Sequence, residues 1–240
     1  MGIIVEEIMK IGVMQPYFMP YIGYWQLMNY VDKYVIFDDV NYINRGWIDR
    51  NRILINKQAQ YIGLPVVGKS QNKLINEINV NTDKKLIEKV IKTVELSYKK
   101  SKYFEDVFPL FCEIMRNDEK NLALFLKDSI LQIAKYLDIN TEFFLSSNIE
   151  KDNSLKGQDK ILQICKKLNG TEYINAIGGQ ELYSKELFSD NGLKLSFLKT
   201  SSIEYNQTSS SFEPNLSIID VLMNCSKEET KEFLDCFELI

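Results

Sequence analysis

The 240-residue chain predicts an α/β fold: an open, mostly parallel, Rossmann-like sheet with a helical middle section and C-terminal helices. Short apolar runs alternate with helical patterns at the start of the chain and again beyond residue 141, which is the order of a parallel sheet with crossover helices. Pro, Gly and Asn punctuate the places where one pattern passes into the next. The hydrophobic share of 45% is enough to bury one core, so residues 1–240 read as a single domain with a helical subdomain over 83–138.

Residues 10–14 form a first apolar strand that stops at Gln15-Pro16. A helix is expected from Pro20 to about Tyr30, since proline in a first turn loses no hydrogen bond. Residues 34–37 read as a second strand, giving a β-α-β unit with parallel strands and a right-handed crossover. Residues 38–52 mix polar, aromatic and basic side chains and read as a loop. Residues 53–55, 61–66 and 77–80 have strand character. Asn81-Thr82-Asp83 caps a helix that runs to about Tyr98, and helices over 104–115 and 119–137 complete the middle section. Alternation then resumes: strand 142–145, helix 156–168, strand 172–174, a short helix near 180–188, the Asn191-Gly192 turn and strand 194–198. Residues 201–213 form a Ser-rich loop, and helices near 216–224 and 227–237 end the chain.

With 29 basic and 33 acidic residues the net charge is −4, so no extended nucleic-acid surface is expected. No apolar run reaches the length of a membrane span, and Glu6 and Glu7 stand where a secretory leader needs a basic start and an apolar core. The expectation is a cytoplasmic chain without membrane insertion. The chain has no histidine, which removes the usual neutral-pH base, the commonest zinc ligand and every Ser-His or Cys-His nucleophile system. Its four cysteines are scattered, without a C-x-x-C pair, and read as buried thiols.

In a parallel sheet, ligands bind beyond the carboxyl ends of the strands, where helix amino termini offer free N–H groups to phosphate. Three segments are expected at that edge. The first holds Gln15, Pro16, Tyr17, Tyr21, Gly23 and Tyr24; Gly23 would admit a ligand or a neighbouring backbone, or simply a tight helix-to-sheet contact. The second begins with Asp38-Asp39, adjacent carboxylates that can supply a base, hold a divalent ion or merely serve a turn. It continues through Asn44, Arg45, Trp47, Arg50, Asn51 and Arg52, where guanidinium forks match phosphate oxygens and Trp47 offers a stacking surface. The third holds Asn175, Gly178 and Gly179, a strand-to-helix turn able to cradle an anion. Late in the chain Tyr205, Gln207, Ser217 and Asp220 form a loop-helix element. Ser217 reads as an N-cap before it reads as a nucleophile.

Four stretches in combination resemble the WbqC-like family. They are Gln15-Pro16-Tyr17-Phe18-Met19-Pro20-Tyr21-Ile22-Gly23-Tyr24, Val31-Asp32 continued by Phe37-Asp38-Asp39-Val40, the Arg45-Gly46-Trp47 and Arg50-Asn51-Arg52-Ile53 pair, and Phe212-Glu213-Pro214-Asn215-Leu216-Ser217-Ile218-Ile219-Asp220. The resemblance implies a role in O-antigen or other surface-polysaccharide assembly. It suggests transfer of an acyl or aminoacyl group, from a donor the sequence does not name, to the amine of a dTDP-4-amino-4,6-dideoxy sugar. In that reading the arginines hold the diphosphate, Asp38 or Asp39 takes the amine proton, and Tyr17, Tyr21 or Tyr24 donates to the carbonyl. Residues 18–24 are also faintly similar to the F-x-P-x-x-x-G-H element of nucleotidylyltransferases, one residue shorter and with Tyr24 in place of its histidine. That likeness would bring a nucleoside triphosphate and Mg²⁺, with Asp38 or Asp39 at the metal, but Tyr24 weakens it. A non-catalytic nucleotide-sugar-binding or assembly protein is the remaining alternative.

Overall fold

The computed structural model describes residues 8–209 and 211–240, so Glu6 and Glu7 lie outside the described residues. The chain opens with β1 (Lys10–Met14), α1 (Ile22–Tyr30) and β2 (Lys33–Ile36). Next come β3 (Arg50–Ile55), β4 (Gln58–Gly63), β5 (Val66–Val67) and β6 (Asn79–Val80), then α2 (Lys84–Tyr98), α3 (Phe104–Met115) and α4 (Leu122–Tyr136). The second half contains β7 (Glu142–Leu145), α5 (Gly157–Lys167), β8 (Glu172–Ala176), α6 (Lys185–Asp190), β9 (Lys194–Thr200), α7 (Ile218–Asn224), α8 (Lys227–Phe233) and β10 (Phe237–Leu239).

The main sheet runs β10-β9-β8-β1-β2-β7, all neighbours parallel except the β10–β9 pair. The chain builds outward from β1 through β2 to β7, then crosses back to add β8 and β9 on the other side. This is Rossmann-like order, and the direction of growth reverses between β1 and β8, which opens a crevice at their carboxyl ends. Alternation along the strands divides the core: Ile11, Val13 and Val35 face a cluster with α5 and α6, while Tyr34 and Ile36 face the larger cluster with α1 to α4 and α7. The helical middle section therefore shares its core with the sheet.

Several expectations change. Pro20 lies just before the N-cap, Tyr21, rather than in the first turn; its carbonyl accepts from Trp25 Nε1 at 3.0 Å and from the Ile218 amide at 2.9 Å. Arg50 to Arg52 belong to a strand, because β3 pairs with β4 as a hairpin from Arg50↔Gly63 to Ile55↔Gln58. Its turn is Asn56-Lys57, both at positive φ (51° and 65°), a conformation for which lysine gives no sequence cue. Residues 180–188 divide into a 3₁₀ turn, Ile177–Leu182, and α6. The last stretch is a strand rather than the end of a helix, with Leu239 paired to Leu198 at the sheet edge. Among the described residues no helix is long and apolar enough to cross a membrane.

Candidate anion-binding cleft

The loop after β1 is held by partners distant in sequence. Phe18 donates its amide to the Ile48 carbonyl at 2.9 Å, bringing the arginine-bearing segment alongside. Met19 follows with φ 47°, a left-handed conformation uncommon for a residue with a Cβ. Its carbonyl accepts from Asn51 Nδ2 at 2.6 Å and from Ser217 Oγ at 2.9 Å, and the Ser217 amide donates to the Arg52 carbonyl at 2.9 Å. Asn51 and Ser217 are both buried, so three distant segments are locked around one strained residue. Ser217 is the N-cap of α7, its hydroxyl accepting from the Ile219 amide at 3.3 Å.

These segments frame a cleft of about 590 Å³ at the carboxyl ends of β1, β8 and β9. Tyr17, Tyr21, Trp47, Asn51 and Arg52 line it together with Met14, Ile177, Lys199, Thr200 and Asn215. Among the described residues Arg52 and Lys199 are its charged side chains and no carboxylate contributes to its walls, so the cleft favours anions. Arg52 Nη2 makes a long contact to the Pro214 carbonyl, 3.4 Å, while its Nε is shut off from solvent with no partner. Burial drives the Tyr17 hydroxyl well above the ordinary tyrosine range, with Tyr21 and Tyr24 adding to the effect. Burial also raises Tyr21, against a hydrogen bond with Thr200, so both phenols stay protonated donors. Gly23 serves packing: a Cβ there would strike the Thr200 hydroxyl and come within 2.6 Å of the Tyr21 ring.

The other arginines turn elsewhere. Arg50 clamps its own loop, Nε to the Gly46 carbonyl at 3.0 Å and Nη2 to the Arg45 carbonyl, with Cζ 4.3 Å from the Tyr61 ring centre. Arg45, at φ 59°, and Asn44 are exposed on the outer turn of that loop. Trp47, 46% exposed, leans on Tyr61 with centroids 5.9 Å apart and keeps an open ring at the cleft mouth. Gln15 and Pro16 carry the chain out of β1, and Tyr24 lies buried beneath them with its hydroxyl donating to the Gln15 carbonyl at 3.0 Å.

Asp38 and Asp39 stay outside the cleft wall. Asp38 Oδ1 accepts from the Ser147 amide at 2.9 Å and Oδ2 from Asn76 Nδ2 at 3.2 Å. Asp39 Oδ2 sits 2.8 Å from Lys151 Nζ and 3.0 Å from Lys160 Nζ, with the Lys151 side chain 1% exposed. Burial alone would raise the Asp39 carboxyl, but Lys151, Ser146 and Lys160 together bring it below the usual carboxylate range. These contacts do not fit a Mg²⁺ site, since two ammonium groups stand where the ion would. Among the described residues no group of three or more Asp, Glu or Cys is placed to hold a metal.

Asn175 is buried against the Tyr173 hydroxyl at 2.6 Å, while Gly178 and Gly179 lie inside the 3₁₀ turn without the positive φ of an anion-cradling nest. Tyr205 and Gln207 donate to Asp220 Oδ1 at 2.8 and 3.1 Å, and Tyr98 donates to Oδ2 at 2.7 Å. This network ties the 201–216 loop to α2 and α7. Burial raises the Asp220 pKa against those three donors. Burial likewise pushes the Cys165 and Cys225 thiols up to about 12, which leaves both unreactive.

Lys199, Thr200 and Asn215 escaped the sequence reading of the site. The apolar pattern of the last parallel strand fades after residue 198, whereas the strand itself continues through Lys199 to Thr200.

The sheet order defines a Rossmann-like α/β protein with a crevice at its reversal, where Arg52 and Lys199 are the charged side chains among the described residues. The chain belongs to the WbqC-like protein family, whose model matches residues 15–232. It is 25% identical over 223 residues to a Mycobacterium tuberculosis (strain ATCC 25618 / H37Rv) protein described as "Uncharacterized protein Rv1507c", covering 91% of this chain and 95% of that one. No solved structure gives a significant match.

Proposed function

We propose that the chain is a nucleotide-sugar-binding transferase of surface-polysaccharide assembly, such as O-antigen and lipopolysaccharide, working in the cytoplasm. Its reaction is acyl or aminoacyl transfer to the amine of a dTDP-4-amino-4,6-dideoxy sugar. The observation that carries the binding half is the cleft wall, where Arg52 and Lys199 are the charged side chains among the described residues. A diphosphate supplies acceptors to these two cations, and Trp47 offers its ring to the base or sugar. In the transfer, the amine nitrogen attacks the donor carbonyl carbon and a C–N bond forms. The bond from that carbon to the donor's leaving group breaks, and the amine proton passes to solvent or to the departing group. Tyr17 and Tyr21, kept protonated, suit donation to the developing oxyanion.

Thermal shift against dTDP, dTDP- and UDP-sugars, ATP with Mg²⁺ and amino acids tests this reading. A ligand at 100 times its dissociation constant adds about 2.7 kcal/mol. The dTDP compounds should stabilise the wild-type chain, and Arg52→Ala should weaken their binding more than tenfold. An undiminished shift in that variant would remove the phosphate site from this cleft. A second reading, a non-catalytic nucleotide-sugar-binding or assembly protein, is favoured by the lack of any carboxylate in the cleft wall among the described residues. Tight dTDP-sugar binding without turnover on any acyl or aminoacyl donor would select it.

A further inference from the structure

A second cavity, about 460 Å³, lies behind the 201–216 loop and shares Thr200 and Asn215 with the cleft. Its chemistry is the opposite. No lysine or arginine contributes to its wall among the described residues, and its charged group is the exposed Glu204. Ile203, Phe212 and Leu216 supply apolar surface, and Ser201 and Ser202 line the same wall. A phosphate has no cation to meet there, whereas an ammonium group has a carboxylate and a hydrocarbon chain has a surface to cover.

We propose that this cavity binds the group to be transferred, an aminoacyl unit delivered as an ester or thioester, with its α-ammonium facing Glu204 and its side chain against Ile203 and Phe212. The proposal rests on the transferase reading above. With the acceptor's diphosphate on Arg52, Thr200 and Asn215, which line both spaces, mark the boundary across which the two reactants would meet. The acceptor amine would attack the aminoacyl carbonyl carbon from the cleft side, forming the amide as the carrier leaves as an alcohol or thiol with the proton.

Ligand-observed NMR on the full chain tests it, with L-leucine methyl ester as the probe and N-acetyl-L-leucine methyl ester as the same probe without its ammonium, each with and without dTDP. Saturation transfer to the leucine ester should be present in the wild-type chain and lost in Ser202→Trp, which fills the cavity from an exposed position. Glu204→Gln should weaken the leucine ester at least fivefold and leave the acetylated ester unchanged. In both variants dTDP binding should stay within twofold of wild type. Absence of transfer in the wild-type chain, or transfer undiminished in Ser202→Trp, overturns the proposal, as does an equal effect of Glu204→Gln on both esters. Failure of wild-type dTDP binding instead counts against the phosphate cleft, so the two ideas fall to different measurements.

Discussion

The Met19 carbonyl is the point on which the site's geometry turns. Two buried side chains, Asn51 and Ser217, donate to it and hold a residue with a Cβ at φ 47°. Asn51→Ala and Ser217→Ala should each cost about 0.5–1.5 kcal/mol, because each removes one hydrogen bond while the carbonyl keeps its other donor. Chemical denaturation reads that loss directly, and a change under about 0.5 kcal/mol for both, the size expected of surface sites, would mean that the loop is held by something else. The buried Lys151–Asp39–Lys160 cluster makes an asymmetric prediction. Asp39→Asn leaves two ammonium groups buried without a counter-charge and should cost about 3–5 kcal/mol, whereas Lys160→Met leaves a matched pair and should cost less. Reversal of that order in denaturant melts would show that the cluster is solvated. The sign of its pH dependence also follows. Asp39 is held below its unfolded pKa of about 3.9, so its contribution is fully present above that value and is lost as pH falls through the lower folded value. Asp39→Asn should therefore flatten the acid limb of the stability curve.

Among the elements, β10 was the least visible in the sequence and depends most on others. Its residues follow α8 closely and read as more helix, yet Gln26, fully buried in α1, donates to the Phe233 and Cys236 carbonyls at 2.7 and 2.9 Å and ends the helix there. The chain then turns back along β9. Gln26→Ala removes both bonds and should lower the melting temperature by several degrees, with hydrogen exchange of the 237–239 amides rising more than that of β1. Equal protection of the two strands would mean that β10 does not need this anchor. The middle helices were easier to read: α2 begins after Asp83, which accepts from the Lys85 amide at 2.8 Å as its cap residue should. Local capping chemistry is written in neighbouring residues; an anchor more than 200 positions away is not.

At the scale of the whole molecule, the sheet order matters most, because it puts the reversal between β1 and β8 and so gives the crevice its place. Part of the cleft could be read beforehand, since Tyr17, Tyr21, Trp47, Asn51 and Arg52 were selected by residue type and by nearness to expected strand ends. The arginines could not be told apart in this way. Arg50 and Arg52 lie on one strand, but Arg50 spends its donors on its own loop, while Arg52 reaches the cleft. The sequence by itself determined the alternation of strands and helices and the absence of histidine chemistry, because periodicity and residue type are local properties. Only the tertiary structure decided that β9 delivers Lys199 and Thr200 to the same cavity, and that Asp38 and Asp39 are bound to partners away from it. Pairing of charges and exclusion of water depend on which distant side chains fill the space, and a linear order of residues does not carry that information.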